Sequence, residues 1–149
     1  MRHRLERELV IGRSRDEIFP FFAEARNLER ITPGFLHFKI LTEGPIRMRA
    51  GTRIDYQIRL NGIPMRWQTL IEEFVGNEYF VDAQVKGPYK LWRHRHSFSD
   101  VAQGTLMRDE VEYELPFGIL GELAHGVFVR RQVEEIFRHR NQVIAELFK

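Results

Sequence analysis

The chain has 149 residues, no cysteine, a formal net charge of +2, 43% hydrophobic and 30% charged residues. These figures suit one soluble globular domain over residues 1–149 and exclude disulfides, cysteine-based metal sites and thiol nucleophiles. Apolar runs are short and residues 1–7 lack an apolar signal region, so neither membrane insertion nor secretion is expected, and the expected location is cytoplasmic.

Residues 3–11 set Leu5, Arg7, Leu9 and Ile11 against polar neighbours with a period of two, the pattern of a strand. Ser14 and Glu17 have the spacing of a reciprocal capping box, which starts a helix carrying Ile18, Phe19, Phe21 and Phe22. Pro20 inside that run keeps the helix short or kinked. A second short helix follows a break at residues 23–27. Pro33-Gly34 then closes it and opens a strand over residues 35–41. From Gly51 the period is two again, with Ile54, Tyr56, Ile58 and Leu60 on one face. Asn61-Gly62 tolerates the positive φ of a type I′ turn, and the returning strand over residues 64–74 alternates Met65, Trp67, Thr69 and Ile71. Strands over residues 79–85, 90–98 and 105–115 follow, joined by turns at Gly76-Asn77, Gly87-Pro88 and residues 100–104. Connections this short make antiparallel neighbours.

Beyond Pro116 the period becomes helical. Leu120, Leu123, Ala124, Val127, Phe128, Val133, Ile136, Phe137, Val143, Ile144 and Leu147 form the expected apolar stripe. Arg130, Arg131, Arg138, His139 and Arg140 fall to the solvated face. Gly118, Gly121 and Gly126 weaken the first turns, so residues 117–126 are the expected mouth or lid of any cavity. The fold class is α+β: a curved antiparallel sheet of about seven strands wrapped around a long C-terminal helix, with two short helices after the first strand. A sheet wider than its helix leaves a gap between them, the candidate ligand cavity.

Several segments carry a family resemblance: Asn27-Leu28-Glu29-Arg30-Ile31-Thr32-Pro33, Lys86-Gly87-Pro88-Tyr89, Trp92 to Phe98, Asp109-Glu110-Val111-Glu112-Tyr113 and Phe128-Val129-Arg130-Arg131. Together with the element order they resemble the START/birch-allergen-like superfamily of helix-grip proteins, in its bacterial polyketide cyclase/dehydrase and lipid-transport branch. The resemblance implies an elongated cavity between sheet and helix that takes a hydrophobic small molecule. It does not choose among the superfamily's carriers, receptors and enzymes.

The chemistry-bearing residues follow from alternation. Trp92, His94, His96 and Phe98 share one face, with Arg93, Arg95 and Ser97 on the other, so both histidines point inward. Asp109 is the single acid on the inward face Thr105, Met107, Asp109, Val111, Tyr113. The face of Asp82 is ambiguous by pattern, and the resemblance together with the complementarity of acid to histidine places it inward. Pairing Phe98 with Thr105 sets His94 opposite Asp109, and pairing Gln84 with Trp92 sets Asp82 opposite His94. A shift of two residues puts His96 in place of His94. An imidazole between carboxylates would have its pKa raised.

These groups form either a polar anchor at the end of an apolar pocket or a satisfied internal network. Tyr56, Trp67 and Tyr113 read as core aromatics that can line the same cavity, and Leu120, Leu123 and Val127 are placed on its helical wall. No third ligand of fixed spacing accompanies His94 and His96, so neither metal nor cofactor is expected. The near-neutral charge argues against a nucleic-acid partner. With no phosphate loop, no nucleophile elbow and three serines, a serine nucleophile is not expected. The leading expectation is binding or transport of a lipid, quinone or polyketide-like aromatic, with transient membrane contact compatible with that role. The second is a cyclase- or dehydratase-type enzyme with His94, His96 and Asp109 as acid–base candidates. The third is a macromolecular interaction module acting through the C-terminal arginines. Oligomeric state is not legible in the sequence.

Overall fold

The structure is a computed structural model and describes residues 1–149. Seven antiparallel strands form one sheet in the order β1-β7-β6-β5-β4-β3-β2. They are β1 (His3–Ile11), β2 (Lys39–Ile40), β3 (Arg53–Leu60), β4 (Ile63–Val75), β5 (Tyr79–Lys86), β6 (Leu91–Val101) and β7 (Gly104–Glu114). Between β1 and β2 lie α1 (Arg15–Phe22) and α2 (Leu28–Ile31). The C-terminal helix runs as α3 (Gly118–Ala124), a π turn (His125–Val129) and α4 (Arg130–Leu147). The helix-grip architecture expected from the sequence is the one observed. No helix is long and apolar enough to cross a membrane.

The local signals act as their chemistry requires. The capping box forms at α1, where the Glu17 carboxylate reaches back to the Ser14 N–H at 3.5 Å. Asn61 and Gly62 take φ of 52° and 81°, closing the β3–β4 hairpin with positive φ at both turn residues. Gly104 holds φ 138°, and a Cβ there would lie 2.3 Å from the Ile11 carbonyl, so the β6–β7 turn can sit against the end of β1 only as glycine.

Three sequence expectations are corrected. The strand placed at residues 35–41 is only Lys39–Ile40, because Gly34–Leu36 forms a 3₁₀ turn and His37 adopts a left-handed φ of 46°. That turn folds Leu36 into the core at 4% exposure. The β6–β7 register is the one shifted by two: His96 faces Asp109 and Phe98 faces Met107, since β6 runs on to Val101 and the turn is tighter than residues 100–104. Third, the apolar face of α3 is solvent-exposed, at 72% for Leu120, 61% for Leu123 and 75% for Val127. The π turn adds a residue to the helix, which rotates α3 by about 100° against a continuous α-helix. Gly121 and His125 then come to the buried face that continues as Val133 and Phe137.

A bulge in β4 bends the sheet around the helix. Ile71 pairs with Asp82 and Glu73 with Val81, so Glu72 is the extra residue. Glu72 and Glu73 both turn outward to Arg93, at 2.9 and 3.2 Å, while Ile71 and Phe74 both stay inside.

Candidate functional site

Apolar side chains form two separate clusters under the sheet. One gathers Ile11, Ile18, Phe19, Phe98, Met107 and Ile144, the other Leu5, Val111, Tyr113, Val133 and Phe137. A polar layer separates them, and the same sequence of residues crosses it on three elements. On β7, Met107 and Val111 flank Asp109. On β6, Phe98 and Trp92 flank His96 and His94. On α4, Ile144 and Phe137 flank Arg140.

Within the layer the pairing is diagonal. Cα register sets Asp82 opposite His94 and His96 opposite Asp109. The side chains cross over: His94 Nε2 lies 2.8 Å from Asp109 Oδ1, and His96 Nε2 lies 2.5 Å from Asp82 Oδ2. The two imidazoles stack with centroids 3.5 Å apart. Asp82 is thus inward, with its carboxylate on the second histidine.

Arg140 completes the layer, and the sequence reading placed it on the solvated face. It is 6% exposed, 3.2 Å from His96 Nδ1 and 3.5 Å from Asp109 Oδ1. The spacing Val133, Phe137, Arg140, Ile144 was the available signal, since these four positions trace one helical stripe. A guanidinium in that stripe is buried only if paired, and Asp109 and the His96 lone pair on the facing strands supply the partners.

The electrostatics follow from this cation. Burial pushes the Asp109 carboxyl up, but Arg140, the His94 hydrogen bond and the two histidines outweigh it and hold it well below the usual carboxylate range. Asp82 is also lowered against the effect of burial, by its hydrogen bond to His96 and by the nearby cations. His96 moves the other way from the sequence expectation, down to about 4, through desolvation first and the neighbouring His94 second, with Arg140 adding to both. The hydrogen bonds agree. His96 donates from Nε2 to Asp82, so its Nδ1 lone pair can accept from Arg140; a proton on Nδ1 would set two N–H groups against each other.

One side of this layer faces a cavity of about 170 Å³, lined mainly by hydrophobic residues of α1, α2, β3, β4 and α4. Of the residues expected there, Tyr56, Trp67, Asp82, Trp92, His94 and His96 line it. Asp109 lies behind the histidines, Phe98 is core, and Tyr113 turns its hydroxyl to His125 at 2.8 Å; none of the three lines it. Leu120, Leu123 and Val127 are on the outer surface, and residues 117–126 contribute nothing to the cavity wall, so neither the helical wall nor the mouth lies where the sequence placed it. Phe38, Thr69, Tyr89 and Phe137 also line the cavity and were not among the expected residues. Tyr56 stacks over Trp67 at 5.8 Å, and its hydroxyl is 3.3 Å from Thr69 Oγ1. Trp67 Nε1 is buried with no protein partner.

Comparison with known proteins places this geometry. Residues 11–140 match the profile of the family described as polyketide cyclase / dehydrase and lipid transport. No curated protein matches the chain significantly. Among solved structures, ginseng major latex-like protein 151 from Panax ginseng is similar at TM-score 0.71 and 14% identity, covering 99% of this chain and 98% of that one. A START superfamily protein from Mycobacterium smegmatis aligns at TM-score 0.71 and 12% identity, over 98% and 97% of the two chains. The di-domain ARO/CYC StfQ of the steffimycin biosynthetic pathway aligns at TM-score 0.78 and 14% identity, over 99% of this chain and 50% of that one. At such identities these likenesses speak for the fold alone.

Proposed function

The chain belongs to the polyketide cyclase / dehydrase and lipid transport family, and on that footing we propose that it binds a hydrophobic small molecule in the sheet–helix cavity, polar end toward Asp82 and His96. One observation carries the reading: an apolar cavity with the Asp82–His96–Arg140 side of a hydrogen-bonded layer in its wall. Asp82 is the layer's most accessible carboxylate, with 17% side-chain exposure against 1% for Asp109. With Asp82 and Asp109 ionised, His96 neutral and Arg140 committed to Asp109 and His96, this end of the cavity favours a hydroxyl or phenol that donates to Asp82. A carboxylate or phosphate there would face Asp82 at close range.

A second reading is supported by the neutral His96, oriented between Asp82 and Arg140. Its N–H holds the ionised Asp82 carboxylate at the cavity wall, placed to accept a proton from a hydroxyl of a bound polyketide-like chain, as a cyclase or dehydratase step requires. Native mass spectrometry on freshly purified protein, followed by organic extraction, tests the first reading. A stoichiometric neutral or phenolic ligand is expected. An empty protein whose tryptophan fluorescence also ignores 1-naphthol would overturn it. Turnover abolished by His96→Gln would move the assignment to the second reading.

A further inference from the structure

A second histidine–carboxylate cluster lies at the far end of the fold, outside the cavity. His3 from the first turn of β1 places Nε2 at 3.0 and 3.2 Å from the two carboxylate oxygens of Glu122. Glu122 and His125 are three residues apart on the α3–π turn helix, so they project from one face. His125 stacks on His3 with ring centroids 3.5 Å apart and planes 15° apart. One ligand atom from each of the three residues lies within 4.8 Å of the other two.

We propose that His3, Glu122 and His125 form a binding site for a divalent transition ion of the zinc class, with two imidazole nitrogens and one carboxylate as protein ligands and a fourth position left to water. The donor set is that of borderline ions, which take imidazole and carboxylate together. Ligand atoms around a tetrahedral zinc stand about 3.3 Å apart. The His3–Glu122 separation is therefore already that of a coordinated pair, and His125, within 4.8 Å of both, needs to close by no more than about 1.5 Å. Its Nε2 meets the Tyr113 hydroxyl at 2.8 Å, an orienting contact of the kind found around metal-ligating histidines.

The competing cations are weak ones. The Met1 amino group lies 3.6 Å from Glu122 Oε1 but is 74% exposed, and Arg130 is paired with Glu134 at 3.5 Å. The other three-residue group, Asp82, His94 and His96, meets the same spacing criterion. There the Arg140 guanidinium stands 3.2 Å from His96 Nδ1 and 3.5 Å from Asp109, a fixed cation beside the cluster that opposes a second positive charge. Two clusters of the same residue types thus separate by whether a guanidinium is built in.

Titration of the untagged, metal-free protein with ZnCl₂ by calorimetry, and with CoCl₂ by visible absorption, tests the site. One equivalent is expected, with the intense d–d bands of four-coordinate Co²⁺. His3→Ala and His125→Ala should each weaken zinc at least about tenfold. His3→Ala alters the end of an edge strand, so circular dichroism will show that variant folded. Asp82→Asn, His37→Asn and His139→Asn should leave the affinity unchanged. Binding weaker than about 100 µM, or binding lost in Asp82→Asn or the outer-histidine variants instead of His3→Ala and His125→Ala, overturns the proposal.

Discussion

Two pairs of stacked imidazoles, both with centroids 3.5 Å apart, sit beside carboxylates at opposite ends of one helix. In the layer under α4, His94 and His96 are 6% and 3% exposed and Arg140 is the third party. In the cluster under α3, the His3 side chain is 16% exposed, Glu122 is 30% exposed, and no guanidinium contacts the rings. Burial raises the cost of every uncompensated charge, so the inner cluster had to acquire a permanent cation and a fixed tautomer. The outer cluster, close to water, can leave its carboxylate and lone pairs free for an incoming ion. The same residue types therefore make a rigid, internally paired layer in one place and a more accessible set of donors in the other.

The hardest blow to this contrast falls on Arg140. Arg140→Met leaves Asp109 and Asp82 without their permanent cation and is expected to cost about 3–5 kcal/mol of stability in urea denaturation. Adding Asp109→Asn should recover part of that loss; a single variant as stable as the wild type would remove the reason for the buried layer.

Acid tests the same layer. His96 has a folded pKa of about 4 against an ordinary value of 6.5, so the unfolded chain takes up the proton first as pH falls. Its contribution is present above pH 6.5 and lost as pH drops toward 4, on the order of 3 kcal/mol in all. Asp82 and Asp109, both depressed below 3.8, extend the loss to lower pH. Urea midpoints measured across this range should slope downward toward acid in the wild type and flatten between pH 6.5 and 4 in His96→Gln. A profile unchanged by the substitution would mean His96 is not held neutral.

A smaller effect distinguishes anchor from scaffold. Asp82→Asn should weaken 1-naphthol binding by about tenfold or more, since a hydrogen bond to a charged group is lost, and should leave 1-naphthoate no weaker. Tryptophan fluorescence reads both. Equal losses for the two ligands would deny Asp82 its role in choosing the polar end.

The smallest effect belongs to the outer region. Leu120→Ser and Leu123→Ser should each change stability by no more than about 0.5 kcal/mol, because both side chains already face water. A fall in Tm of several degrees would show that α3 buries its apolar face after all.

Much of this was legible in the residues. The alternation of Trp92, His94, His96 and Phe98, and of Met107, Asp109 and Val111, determined which side chains enter the interior, because a strand's period of two leaves only two faces to choose between. Asn61-Gly62 and the other turn pairs determined the meander, and the apolar faces determined that a helix must cover it. What alternation leaves open is sliding by two residues, which keeps every side chain on its face; the tight β6–β7 turn settled that, and side-chain reach then made the pairing diagonal. Helical periodicity likewise assumes an unbroken turn. The π turn at His125–Val129 breaks the α-helical period, so Leu120, Leu123 and Val127 went outside while Gly121 and His125 went in. The placement of Arg140 was the decision of the assembled fold alone. A charge on an apolar stripe reads as a surface residue until the strands opposite it bring a carboxylate and an imidazole lone pair within reach, and that meeting depends on contacts between residues more than thirty positions apart.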